Sequence, residues 1–245
     1  MNSFRFLFCM SLSSTFLSYA HVQLLIKIPT RSRPEKFFTM LDKYYEKISG
    51  SVTYHFLISC DIDDPTMNNS HIISMLKEYP HLSFYFGNSR TKVQAYNCDI
   101  EKHLDFDILL VTSDDMEPLV EYFDQIIMKN MKKYFPNFDG ILNFNDGFVD
   151  GRCNTMPIIG KKFYQRFGYV YHPSYKSLYC DEELTIISRM LGKEMVFDQV
   201  IIRHNHPAWS TAFKVDKLYE RNEAFFYEDQ ANFKQRRAAN FEISM

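Results

Sequence analysis

Four short apolar runs in the first half of the chain each end in a polar or charged cluster, and each is followed by a segment patterned for a helix. Val22 to Pro29 (VQLLIKIP) leads into "TRSR", and Ser51 to Ser59 (SVTYHFLIS) into "CDIDDP". "HLSFYFG" leads into "NSR", and "FDILLVT" into "SDD". Between them, Pro34 opens a segment with Phe37, Phe38, Leu41, Tyr44 and Tyr45 at helical spacing. Asn69 to Tyr79 carries Ile72, Ile73 and Leu76, and "TKVQAYNCDIEKH" also reads as a helix. Strands alternating with helices predict a single α/β domain: a mostly parallel, Rossmann-like sheet with helices on both faces. In such sheets ligands bind beyond the carboxyl ends of the strands. The polar clusters fall there.

The second half is less regular. A helix is expected after Pro118. "GILNFNDG" reads as a strand ending in a turn, and "PIIGKKFYQRFGYVYHPSY" as a short helix and an aromatic strand. Asp181 to Gly192 reads as a helix with acidic residues in its first turn and a terminal glycine. "EMVFDQVIIRHNHP" reads as one strand ending in two histidines. The segment from Asp216 is charged, dotted with aromatics and expected to be helical, a packed or lid-like terminus.

With 245 residues, 46% hydrophobic and 24% charged, the chain suits one soluble globular domain. A formal net charge of −2 gives no bulk electrostatic case for nucleic acid or an acidic membrane. Five scattered cysteines without a CxxC pair argue against a zinc ribbon or redox pair, and read as free thiols of a reducing compartment. That favours a cytoplasmic protein, free or membrane-associated. The alternative follows from residues 1–21, where Arg5 and an apolar stretch ending in Ser18-Tyr19-Ala20 look like a short secretory signal; otherwise they are an N-terminal extension.

The chemistry starts at Asp114 and Asp115, side by side directly after the buried run Ile108 to Val111. Adjacent like charges repel, and a hard divalent cation would relieve them. The plainer alternative is a helix cap ahead of Pro118. Asp181, with Glu182 and Glu183, and the pair His204 and His206 are the other polar features to explain. In an extended segment the two histidines point the same way. Carboxylate oxygens with imidazole suit Mg²⁺ or Mn²⁺, the latter tolerating nitrogen better. A helix cap for Asp181, a solvated strand end for the histidines and a solvated loop for Arg31 and Arg33 are the structural alternatives.

In their order along the chain these motifs resemble the GT-A glycosyltransferases, closest to the family 2 type, over about Val22 to Trp209. "LLVTSDDM" resembles the DXD element, with Ser113 where the family has its first aspartate. That leaves Asp115 for the metal and Ser113 and Asp114 for the nucleotide, Asp114 at the ribose. "LYCDEELT" is similar to the late acidic motif whose aspartate is the base of inverting members, here Asp181. "RHNHP" resembles the downstream histidine that completes a metal shell, His204 or His206. "IPTRSRP" (Thr30, Arg31, Arg33) and "SCDIDDP" (Asp61) resemble the nucleotide-cradling loops. "GNSRTKVQAYN" (Asn88, Lys92, Asn97) is similar to the segment near pyrophosphate and nucleoside. The resemblance implies a GT-A domain over 22–212, with a nucleotide-binding half (22–117) and an acceptor half (118–212), followed by a charged helical tail (213–245). It implies a Mn²⁺- or Mg²⁺-dependent hexosyltransferase that moves a sugar from a nucleotide-sugar, a UDP-sugar by preference. The acceptor is a hydroxyl of an unspecified glycan, lipid or protein, and a base at Asp181 inverts the anomeric centre. A nucleotidyltransferase-like enzyme and a non-catalytic nucleotide-binding protein on the same fold are the alternatives.

Overall fold

The computed structural model describes residues 22–149, 152–207 and 215–243. Its first half follows the expected alternation: β1 (Gln23–Thr30), α1 (Pro34–Lys47), β2 (Thr53–Asp61), α2 (Ser70–Glu78), β3 (Leu82–Gly87), α3 (Lys92–Asn97) and β4 (Ile108–Val111). Then come β5 (Met116–Pro118), α4 (Phe123–Tyr134), β6 (Ile141–Phe144), β7 (Ile158–Gly160), α5 (Lys161–Phe167) and α6 (Cys180–Met190). The order closes with β8 (Glu194–Phe197), β9 (Ile202–His204), α7 (Lys217–Glu223) and α8 (Phe226–Ala238). Seven strands form one sheet in the order β3-β2-β1-β4-β7-β6-β8, and β5 and β9 form a separate antiparallel pair. β1 to β4 are mutually parallel, β7 runs antiparallel to both of its neighbours, and β6 and β8 are parallel again.

Strand residues alternate between two cores, as a pleat requires. Leu24, Ile26 and Ile28 of β1 pack with Phe37 and Tyr44 of α1, Leu76 of α2 and Ile127 of α4. Leu25, Leu57 and Leu109 face the other way, onto Val93 of α3, Phe163 of α5, Leu184 of α6 and Phe233 of α8. α1 starts at a proline preset for the first turn, and α2 at Asn69, whose side chain accepts the Ile72 amide. Lys27 breaks the apolar pattern of β1. It is fully buried, and its ammonium donates to Ser59 Oγ and, at 2.8 Å, to the carbonyl of Cys98 at the end of α3. Burial pushes its pKa down.

Three local expectations change. α3 stops after six residues and a 3-10 turn, Ile100–Lys102, takes over. The aromatic run Tyr169 to Tyr175 is not a strand; the strand is Ile158–Gly160, ahead of α5. The cause is Asn97, whose Oδ1 accepts the amides of Val170 and Tyr171 (3.0 Å each) while its Nδ2 donates to the Tyr171 carbonyl (2.6 Å), taking those groups out of any ladder. The segment ending in the histidines splits into β8 in the main sheet and β9 in the small one. It turns after His204, where the His206 amide bonds the His204 carbonyl at 2.9 Å. Among the described residues no helix is long and apolar enough to cross a membrane, and Cys60, Cys98, Cys153 and Cys180 are free thiols. Cys9 and the signal-like segment lie outside the described residues.

Candidate active site

The carboxyl ends of β1, β2 and β4 open onto one cleft of about 1050 Å³, part of it continuous with solvent. Thr30, Arg31, Arg33, Asp61, Lys92, Ser113, Asp114, Asp115, Asp181, His204 and His206 all line it, although they span most of the sequence. Two expected residues lie elsewhere. Asn97 is spent on the backbone at Val170 and Tyr171. Asn88 borders a shallow neighbouring pocket that shares Ser89 and Arg221 with the cleft.

The acidic centre is built by the turn after β4. Asp114 accepts Thr30 Oγ1 and Arg33 Nη1, both at 3.0 Å. Asp115 accepts the Ser113 hydroxyl on Oδ1 and the Tyr219 hydroxyl, at 2.5 Å, on Oδ2. Both carboxylates are buried. Burial and the adjacent charge of Asp115 push Asp114 up to about 6, against the pull of Arg33. Burial alone would raise Asp115 too, but His204, Lys36 and the two hydroxyls outweigh it and hold Asp115 below the ordinary carboxylate range.

His204 connects this turn to a residue that the motifs did not single out. Its Nε2 lies 3.7 Å from Asp115 Oδ1, and its Nδ1 lies 3.8 Å from Asp146 Oδ2. Asp146 accepts the amides of Phe148 and Val149 and the Thr155 hydroxyl. Burial opposes its charge, but His204, Thr155 and the two amides hold its pKa at about 2. Among the described residues the buried Nδ1 has no hydrogen-bond partner. His206 packs its ring 4.8 Å from that of Tyr219, and burial and His204 lower its pKa to about 4.

Among the described residues no three His, Cys, Asp or Glu side chains cluster into a metal cage, so the expected set Asp115, His204 and His206 is not preformed. The residues present still fit a divalent cation. Mg²⁺-like ions are usually held by one or two protein carboxylates, with water and substrate phosphates supplying the rest. Asp115 beside His204 offers such a partial set, and a carboxylate behind the imidazole is the usual support of a ligating histidine.

Two further elements complete the cleft. α6 presents Asp181 from its first turn, with Tyr179 before it in the left-handed region at φ 63°. Asp181 Oδ1 accepts only the neighbouring Glu182 amide, at 3.0 Å, and makes no ion pair among the described residues. Its neighbour Glu183 faces away, buried and bonded to Arg236 of α8 and Tyr175. Lys92, the first residue of α3, makes no ion pair among the described residues either. Burial works against its charge, but Tyr96, Cys180, Asp181 and Asp115 outweigh that and raise its pKa.

α7 closes the other side and is the part least expected from the sequence. Asp216 grips Arg33 with two bonds of 2.8 Å, the Arg33 guanidinium lies 4.2 Å from the centre of the Tyr219 ring, and Arg221 approaches Asp61 at 3.9 Å. Arg31 bridges Asp61 (2.6 Å) and Asp63.

No protein-family model matches the chain, and no curated protein does. Solved structures match it in fold. TarS residues 1–349 from S. aureus superposes with a TM-score of 0.57 at 15% identity, over 76% of this chain and 61% of that one. That protein has also been solved with UDP-GlcNAc and with UDP. The mannosyltransferase PcManGT from Pyrobaculum calidifontis, solved with GDP-Man and Mn²⁺, gives 0.60 at 13% identity over 74% and 56%. A mutant Drosophila beta-1,4-galactosyltransferase 7, solved with manganese, UDP-Gal and xylobiose, gives 0.51 at 11% over 82% and 79%. The chain spans less than two thirds of the length of the first two. The fold is GT-A, a mostly parallel α/β sheet in a single domain.

Proposed function

We propose that this protein is a divalent-cation-dependent glycosyltransferase that moves a hexosyl group from a nucleotide-sugar, with UDP the favoured nucleotide, to an acceptor hydroxyl. The observation that carries the reading is one convergence. Asp115 beside His204, the ammonium of Lys92, which makes no ion pair among the described residues, and the carboxylate of Asp181 all line one cleft at the carboxyl ends of parallel strands. Structures of the same fold with UDP, UDP-GlcNAc, GDP-Man, UDP-Gal and manganese support it.

Breaking the bond between sugar and diphosphate leaves growing negative charge on the leaving group. A cation on Asp115 and His204 would supply Lewis-acid stabilisation there. Lys92 adds a fixed positive charge to the same oxygens, and Arg31 and Arg33 can form charge-assisted bonds to phosphate once they leave Asp61 and Asp216. Asp61, at the end of β2, offers acceptor oxygens to the nucleoside. Asp181 takes the proton of the acceptor hydroxyl as that oxygen attacks the anomeric carbon opposite the departing diphosphate. Direct attack inverts the anomeric configuration.

A thermal-shift panel of UDP, GDP, CDP and dTDP, each with and without Mn²⁺, tests this, because a ligand bound only by the native state raises the melting temperature. UDP with Mn²⁺ should give the largest shift, and Asp115→Ala should remove its cation-dependent part. If no nucleotide stabilises the protein in a Mn²⁺-dependent way, the reading is wrong.

A further inference from the structure

We propose that the loop Lys176–Leu178 is the seat of the transferred sugar. In it the Ser177 hydroxyl makes a hydrogen bond to a sugar hydroxyl, and Asp229 is the positioning residue that fixes the loop. This rests on the glycosyltransferase reading and adds to it a contact that no motif marks.

Asp229 lies in the first turns of α8, about fifty positions beyond Ser177 in the chain. It is fully buried, and its carboxylate is used entirely on this loop. Oδ1 accepts the Lys176 amide, and Oδ2 accepts the amides of Ser177 and Leu178, each at 2.8 Å. The carbonyls are engaged as well. Lys176 O accepts the Val93 amide at 3.0 Å, tying the loop to the residue after Lys92. Ser177 O accepts the Cys180 thiol at 3.5 Å, tying it to the residue before Asp181. With three amides and two carbonyls committed, the loop has one backbone position.

The side chain of Ser177 is what this anchoring leaves over. The residue is 1% exposed, and among the described residues its Oγ has no hydrogen-bond partner. Buried hydroxyls are nearly always paired, so an orphan calls for an explanation. Ser177 lines the same cleft as Lys92 and Asp181, and the loop is bonded on either side to their immediate neighbours. In a displacement at an anomeric carbon the sugar lies between the diphosphate and the base. The loop that joins those two groups therefore borders the sugar. A serine hydroxyl both donates and accepts, as a sugar hydroxyl does, so the two can pair in either sense.

The test is calorimetric titration of parent, Ser177→Ala and Asp229→Asn proteins in Mn²⁺, first with UDP, then with UDP-glucose, UDP-galactose and UDP-GlcNAc. Ser177→Ala should bind UDP within twofold of the parent, and should bind the parent's preferred UDP-sugar five- to tenfold more weakly. Its melting temperature should not fall, because the hydroxyl removed has no partner among the described residues. Asp229→Asn should show the same split, in which sugar binding weakens while UDP binding holds. Equal binding of the UDP-sugar by parent and Ser177→Ala overturns the subsite alone. Equal losses for UDP and UDP-sugar in both variants also overturn it, since they mark a general structural role. A parent that binds no UDP in Mn²⁺ overturns the glycosyltransferase reading, and the subsite with it.

Discussion

The two walls of the cleft differ in how far the protein satisfies its own charges. On the wall built from β1, β4 and α7, Asp114 has Thr30 and Arg33, Asp115 has Ser113 and Tyr219, and Arg33 is gripped by Asp216. On the wall built from α3, α6 and the loop before it, Lys92 and Asp181 make no ion pair among the described residues and Ser177 Oγ has no partner. A ligand meeting the first wall must exchange partners. A ligand meeting the second gains them. Net affinity is therefore small on the paired wall for each contact made, because every new bond replaces an old one. The proposed proton transfer belongs to the unpaired wall, where a carboxylate with no ion pair among the described residues can take a proton.

The largest effect expected from this contrast is on the unpaired wall. Asp181→Asn keeps the shape and removes the proposed base, so transfer to an acceptor should slow by about 10²- to 10⁴-fold. UDP affinity in Mn²⁺ should stay within twofold, because in the proposed arrangement Asp181 meets the acceptor hydroxyl while the diphosphate is held by Lys92 and by the cation on the other wall. Steady-state transfer assays with nucleotide titration alongside check both halves. Parent-like turnover would show that Asp181 is not the base.

A smaller effect of opposite sign is expected on the paired wall. The Tyr219 hydroxyl donates to the Asp115 oxygen that a cation would need. Tyr219→Phe removes that competitor and leaves the ring under Arg33. A hydrogen bond to a charged group contributes about 1.5–3 kcal/mol, so Mn²⁺-dependent UDP affinity should rise by about tenfold or more. Calorimetric titration of Mn²⁺ with UDP measures it. A weaker-binding variant would mean that the phenol helps to hold the ligand, and the picture of exchange on this wall would fail.

How much of this was legible in the sequence follows the same division by range of contact. The parallel strands were legible because strands covered on both faces read as unbroken apolar runs, and their last residues and the turns after them carry Thr30, Asp61, Ser113, Asp114 and Asp115. Asp181 was legible as an acidic residue opening a helix. Asp146 was hidden because its "NDG" context is explained as a turn, and it does cap that turn while also facing His204. Asn97 was misplaced because an asparagine ending a helix next to the cleft is indistinguishable, in sequence, from one that turns back to hold the backbone at Val170 and Tyr171. Tyr219 and Asp229 lie in a charged tail whose pattern reports helix only. Their partners, Asp115 and the amides at 176–178, are remote in sequence, and no local rule links them.

The smallest effect tests whether the paired wall is held together electrostatically. Glu117 in β5 accepts Lys43 at 2.6 Å, Arg203 of β9 at 2.8 Å and Asn205 at 2.9 Å, clasping the two strands that lead out of Asp115 and into His204. Burial works against its charge, but those three partners hold its pKa at about 2, below the ordinary 4.5. A carboxyl depressed on folding stabilises above its unfolded pKa, and that stability is lost as pH falls toward the folded value. Lys43 and Arg203 are more than a third exposed, so screening reduces the contribution to about 1 kcal/mol. Glu117→Gln should therefore cost about 1 kcal/mol in denaturant unfolding at pH 7, and the gap to the parent should shrink between about pH 4.5 and pH 2. A gap that is constant over that range would mean that Glu117 holds β5 to β9 by shape and neutral hydrogen bonding. The pairing of charge that distinguishes this wall would then stop at Arg33 and Asp114, before it reaches the strands behind Asp115 and His204.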